Sequence, residues 1–295
     1  GGGPSGVKAA VKWRSDNNGG VVVVEPGTYA FPPVKGTNDK WGLNIATSYV
    51  ELEGVGRVVF KRSVTSLTAY SDCYPIVMVG TPDDNSADAV VGVKLKGNEL
   101  EGRDHLHDGR MAVLVKNTRR TSIKGCLFTK IDSSAIFFQK PAVYDYENST
   151  YYNTTKNYDA EILDCRFEAE AHAVAGRALL HAIVPEGVDG LTVADCSSVW
   201  CDDFVSSEGS YQSADEAETD TFTPTVSGWT LGAVKRTGRS WNISNCHCHN
   251  SSEHAYYLSS VDCTLTGGSI TTDALTICDG NVKLRGDFMT VTGLN

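Results

Sequence analysis

"ILDCRF", residues 162–167, is the stretch on which the fold turns. It places an apolar residue, a turn-former, a small residue and a second apolar residue at fixed steps. The same phrase recurs as "LKGNEL" at 95–100, "IKGCLF" at 123–128, "VADCSS" at 193–198 and "ISNCHC" at 243–248, and again as "LTGGSI" at 265–270 and "LRGDFM" at 284–289. Its fourth position holds Asn98, Cys126, Cys165, Cys196, Cys246, Gly268 and Asp287, at separations of 28, 39, 31, 50, 22 and 19 residues. A shortest period near 20, broken by longer excursions, predicts a β-solenoid with loops inserted between coils. Alternation sends Ile123 and Phe128 inward and leaves the polar residue at a bend.

Stacked coils would bring Cys126, Cys165, Cys196 and Cys246 into one row, where small polarizable side chains suit a core ladder. The nine cysteines include no CxxC pair, and the C-H-C-H run at 246–249 is too tight for four zinc ligands, so no metal site is expected. At the N-terminus, "PSGVKAAVKWRS" carries Ser5 as a helix cap and Val7, Ala10 and Val11 at amphipathic spacing. A helix in residues 1–20 would cover the open end of a solenoid spanning 21–295. An antiparallel sandwich would need hairpin signals every 8–12 residues. Asn-Gly and Asp-Gly dipeptides are scarce here, and the phrase has no place in that fold.

The helix, then "GGVVVVEPGTYAF" and "YVELEGVGRVVF", resembles the start of the pectin-lyase-like superfamily of right-handed parallel β-helices. Polygalacturonases, pectate lyases and phage tailspike depolymerases belong to that superfamily. The resemblance covers most of the chain and implies an all-β fold, a polysaccharide substrate, an extracellular or virion-surface location and, on the tailspike side, a homotrimer. The formal net charge of −10 argues against a nucleic-acid partner. No apolar run is long enough for membrane insertion. Four sequons, at Asn148, Asn153, Asn242 and Asn250, matter only in a secretory pathway.

Aligned on the apolar pair that starts the next strand, Ser134, His172, Asp203 and His254 form one polar column, about 4.8 Å apart per coil. One residue earlier stand Ser133, Ala171, Asp202 and Glu253. Two loops flank it: residues 140–158, with five tyrosines including Tyr146, and the acidic segment 206–228. Tyrosines there, and Tyr256 beside His254, suit stacking on sugar rings. Hydrolysis of a glycosidic bond needs one carboxyl to protonate the leaving oxygen and another to activate water or attack. Asp202 and Asp203 are the leading pair, with Glu168 and Glu170 competing, and His172 and His254 would hold or shuttle a proton.

The resemblance sharpens this. "DDFV" at 202–205 and "EHAYY" at 253–257 are similar to the Asp-Asp and His-Gly steps of polygalacturonase-like hydrolases, with Ala255 in place of the glycine. The earlier Asn-Thr-Asp motif is absent, and "VKLR" at 282–285 is only a loose echo of the later Arg-Ile-Lys step. Lyase chemistry is the second reading: Lys235, Arg236 and Arg239 could bind an acidic sugar, with Ca²⁺ implied by pectate-lyase-like elimination. The non-enzymatic reading is a glycan-binding or structural β-helix of a fibre or adhesin.

Overall fold

The computed structural model describes residues 3–35, 40–63, 74–81, 89–102, 111–131, 133–139, 143–145, 150–152, 157–168, 179–207, 221–222, 225–226, 229–230, 234–235, 238–251, 254–258, 261–271, 282–284 and 289–295. Three parallel sheets enclose one core. The first follows Gly20–Val24, Val50–Gly54, Lys94–Lys96, Ser122–Lys124, Asn157–Leu163, Val188–Ala194, Gly238–Ser244, Val261–Thr266 and Thr290–Thr292. The second begins at Gly27–Phe31 and runs through Leu127–Thr129, Arg166–Glu168 and Ser197–Val199 to His247–His249 and Ser269–Thr271. The third runs through Leu43–Ile45, Val77–Gly80, Val113–Lys116, Ser134–Gln139, Leu179–Pro185, Cys201–Ser206, His254–Leu258 and Val282–Leu284. Each coil contributes one strand to each sheet, which is the architecture of a parallel β-helix.

The repeated phrase marks the corner between the first and second sheets. Its third residue, as Gly97, Gly125, Asp164, Asp195, Asn245 or Gly267, has φ between 49° and 65°. Only Gly, Asn and Asp adopt that conformation at little cost, which is why the phrase carries them there. The fourth residue turns its side chain inward and binds two carbonyls. Cys165 Sγ donates to Ile123 O (3.5 Å) and Leu163 O (3.3 Å), and Cys196 Sγ to Ile162 O (3.5 Å) and Ala194 O (3.2 Å). Asn98 Nδ2 does the same to Leu52 O (3.2 Å) and Lys96 O (3.0 Å). The row is therefore a ladder of donors that satisfies carbonyls at the bend. The thiols are free and buried. Neighbouring thiols of Cys126 and Cys196, together with burial, push the Cys165 thiol up, so it stays protonated. Asp287 lies outside the described residues.

Ile123 and Phe128 are buried as expected. Phe128 stacks on Phe167 (4.9 Å), which meets Phe204 edge-on (5.9 Å), and Phe204 meets Tyr256 (5.7 Å), so an aromatic line crosses four coils. The N-terminal helix spans Gly3–Asp16, and Val7 and Val11 bury against the first coil. Ser5 lies inside its first turn and is not the cap: the helix begins two residues earlier. The first expected loop holds a hairpin, Val143–Asp145 with Thr150–Tyr152, and residues 157–158 already belong to the first sheet. The second insertion is longer than expected, since short antiparallel pairs at 221–222 with 234–235 and 225–226 with 229–230 separate Ser206 from the strand starting at Gly238.

Candidate functional site

At the start of the third sheet, two consecutive residues per coil join the core: Ala135–Ile136, Ala182–Ile183, Phe204–Val205 and Ala255–Tyr256. A strictly alternating strand sends only one of two neighbours inward, so the chain departs from alternation here. The residue ahead of each pair is left at the corner. Register puts Ser134 opposite His181, His181 opposite Asp203, and Asp203 opposite His254. A polar column thus stands where expected, with one member corrected. His172 lies outside the described residues, and His181 occupies its coil. "HAVAG" at 172–176 and "HAIVP" at 181–185 satisfy the same apolar-pair rule. The deciding signal was the longer β-branched run "LLHAIV", better suited to a strand than the alanine-rich "AEAHAVAG".

Asp203 is the centre of the column. Its Oδ1 accepts the backbone N–H of His254 at 2.8 Å and lies 3.4 Å from His254 Nδ1, while its Oδ2 lies 3.6 Å from His181 Nε2. The carboxylate side chain is 1% exposed, that of His254 14% and that of His181 27%. Asp203 Oδ2 and His254 Nδ1 have no hydrogen-bond partner. A buried carboxylate is costly unless cations or donors face it, and two imidazoles do. Asp203 is closed off from solvent, and of the two histidines beside it His181 is the more exposed.

The other candidates separate. Asp202 is partly exposed, and its carbonyl accepts Ser251 Oγ at 2.6 Å. Glu168 is not in the column: it ends a second-sheet strand, opposite Thr129 and Val199, and pairs with Arg166. Tyr256 is fully buried against Phe204, and burial holds its phenol well above the usual range, so it is a core residue and not a sugar platform. Tyr257 instead lies beside His254, ring centroids 5.5 Å apart. Lys235 ends a short hairpin strand and Arg239 belongs to the first sheet. Glu170, Glu253, Arg236 and Tyr146 lie outside the described residues. Of the sequons, Asn250 is buried, with its Nδ2 against His249 Nε2 (3.1 Å), while Asn242 is exposed.

No protein-family model matches the chain, and no curated protein matches its sequence. Solved structures do match. A surface adhesin of Streptococcus pneumoniae, PfbA, superposes with a TM-score of 0.65 at 10% identity, over 98% of this chain and 68% of its own. An iota-carrageenase from A. fortis gives 0.57 at 12% identity, over 91% and 53%. The fold is that of the right-handed parallel β-helices. An alginate lyase from Paenibacillus sp. matches at nearly full length on both sides, 100% and 98%, with a TM-score of 0.53 and 11% identity. This chain spans about half the length of the carrageenase. Identities this low establish the shared fold. Among the described residues, no three His, Cys, Asp or Glu side chains are placed to hold a metal ion. Among the same described residues, no helix is long and apolar enough to cross a membrane.

Proposed function

We propose that this chain cleaves a polysaccharide at the corner of its third sheet, using His181 as the proton-transfer group and Asp203 to orient it. The observation that carries this reading is the buried carboxylate of Asp203 set between two partly exposed imidazoles, His181 being the more exposed. The Asp203 carboxylate, 3.6 Å from Nε2 of His181, favours the imidazolium that forms as His181 takes up a proton. The proposed bond cleavage is hydrolytic, with the partly exposed Asp202 supplying a carboxyl and His181 handling the second proton. The fold it shares with a carrageenase supports this reading.

Elimination from a uronate-containing glycan is the second reading. It is favoured by the composition of the column, two imidazoles to one buried carboxylate, because abstraction of a proton next to a carboxylate needs one well-placed base. The proposal extends to an extracellular or virion-surface location and to a homotrimer, in line with the tailspike resemblance. The test is to incubate the protein with acidic and neutral polysaccharides while following reducing ends and the ultraviolet absorbance of unsaturated uronates. Reducing ends alone mean hydrolysis, and both signals mean elimination. Binding without either signal would leave an adhesin and sink the enzymatic reading. Light scattering of the purified chain reads the trimer.

A further inference from the structure

The polar column holds a relation that glycan cleavage does not use. Ser134 stands opposite His181 in register, and His181 stands opposite Asp203. A hydroxyl, an imidazole and a carboxylate therefore follow one another on three successive coils of the third sheet, about 4.8 Å apart per coil. All three leave the same corner, each one residue ahead of the apolar pair that enters the core. The backbone fixes Ser134 on both sides: His181 N–H donates to Ser133 O at 3.4 Å, and Ala112 N–H donates to Ser134 O at 3.1 Å.

Ser134 is 5% exposed, and among the described residues no group hydrogen-bonds its hydroxyl. A hydroxyl so nearly buried normally has a partner, so its presence here calls for a reason other than packing. Chemistry supplies one. An imidazole beside a serine hydroxyl takes its proton as the oxygen attacks, and a carboxylate beyond the imidazole stabilises the imidazolium that forms. Asp203 Oδ2, 3.6 Å from His181 Nε2, provides that charge. On the other side of Ser134, the register that pairs Val113 with Ile136 places Met111, which is partly buried and apolar. Low exposure and an apolar neighbour suit a short acyl group over a long or charged one.

We propose that this stack is a serine-nucleophile site that hydrolyses small acyl esters, with Ser134 as nucleophile and His181 as base and then acid. Ser134 Oγ bonds to the acyl carbon as its proton passes to His181. The alcohol leaves with that proton as its C–O bond breaks. Water then repeats the sequence, releasing the acid and restoring the Ser134 hydroxyl. The reaction differs from glycan cleavage and rests on that reading only for His181 as the proton carrier.

The experiment treats the intact chain with an alkyl fluorophosphonate, which esterifies an activated serine with loss of fluoride, and locates the label by peptide mass mapping. Turnover of many equivalents of p-nitrophenyl acetate is followed alongside. One label per chain, on Ser134, is expected. Ser134→Ala should lose the label and bring ester turnover to the level of buffer, and His181→Ala should slow both about 100-fold or more. Asp203→Asn should slow both about tenfold or more. No label, a label on another residue, or ester turnover that survives Ser134→Ala would overturn the proposal; in the last case His181 itself is the nucleophile if His181→Ala abolishes it. Circular dichroism of each variant separates loss of the site from loss of the fold. Reducing ends from a polysaccharide without a label on Ser134 would overturn this inference alone, and a label without any polysaccharide response would overturn the glycan reading alone.

Discussion

Replacing Asp203 by Asn tests whether the carboxylate acts through His181. The amide is nearly the same size and its oxygen can still accept the N–H of His254, now held at 2.8 Å, so the corner should survive. What disappears is the charge. Unit charges at the 3.6 Å separation of Asp203 Oδ2 and His181 Nε2 attract by about 5 kcal/mol at an effective dielectric of about 20. Desolvation of the buried partner offsets more than half of this, leaving about 2 kcal/mol, or about 30-fold in rate. Turnover of the responsive polysaccharide should therefore fall about 30-fold with little change in KM, because Asp203 does not touch substrate. His181→Ala should fall further, and the double variant no further than His181→Ala alone. Independent, additive losses would show that Asp203 acts on its own. Unchanged turnover in Asp203→Asn would remove the column from the mechanism.

Three stability predictions test the corner ladder and the core by thermal or urea unfolding. Cys196→Ala leaves the carbonyls of Ile162 and Ala194 without their thiol donor and opens a small void, and should cost about 1–3 kcal/mol, whereas Cys196→Ser keeps a donor and should cost less. Gly268→Cys restores the residue found at this position in four other coils, yet it should destabilise by about 2 kcal/mol or more. Gly268 has a φ of +88°, and a Cβ there would run into the carbonyl oxygen of Cys246. Trp241→Phe removes the Nε1 bond to Val188 O (2.9 Å) from a fully buried ring and should cost about 1–3 kcal/mol.

The solenoid was legible because its corner makes strict local demands. A positive φ selects Gly, Asp or Asn at Gly125, Asp164 and Asn245, and the next residue must be small and face inward. Both demands act within three residues, so a single sequence displays them. What could not be read is the chemistry of that inward residue. Asn98 and the cysteines look unrelated by composition and are equivalent as donors to two carbonyls. The polar column was legible in outline for the same local reason, the apolar pair that follows each member. The choice between His172 and His181 was not, because it depends on how long an excursion follows Glu168. The burial of Asp203 was hidden too: it is set by His181 and His254, which lie 22 residues before it and 51 after it in the chain.

Ser134 occupies the same corner as Asp203, two coils away, and is likewise buried. The stack therefore accepts a neutral hydroxyl at this position. A carboxylate in its place carries a desolvation cost of several kcal/mol that serine avoids, and the two imidazoles offset this cost without making it favourable. Packing alone gives no reason for the charge. Asp203→Ser should accordingly fold and be as stable as the parent within about 1 kcal/mol, with water at the partly exposed His254 able to meet the freed backbone N–H. The same variant should lose the turnover that depends on an oriented His181. Urea unfolding and the reducing-end assay, run on one preparation, read both quantities. A fall in stability of more than about 3 kcal/mol would identify Asp203 as a structural clamp between coils, the outcome expected when a buried pair is broken in a site kept for stability.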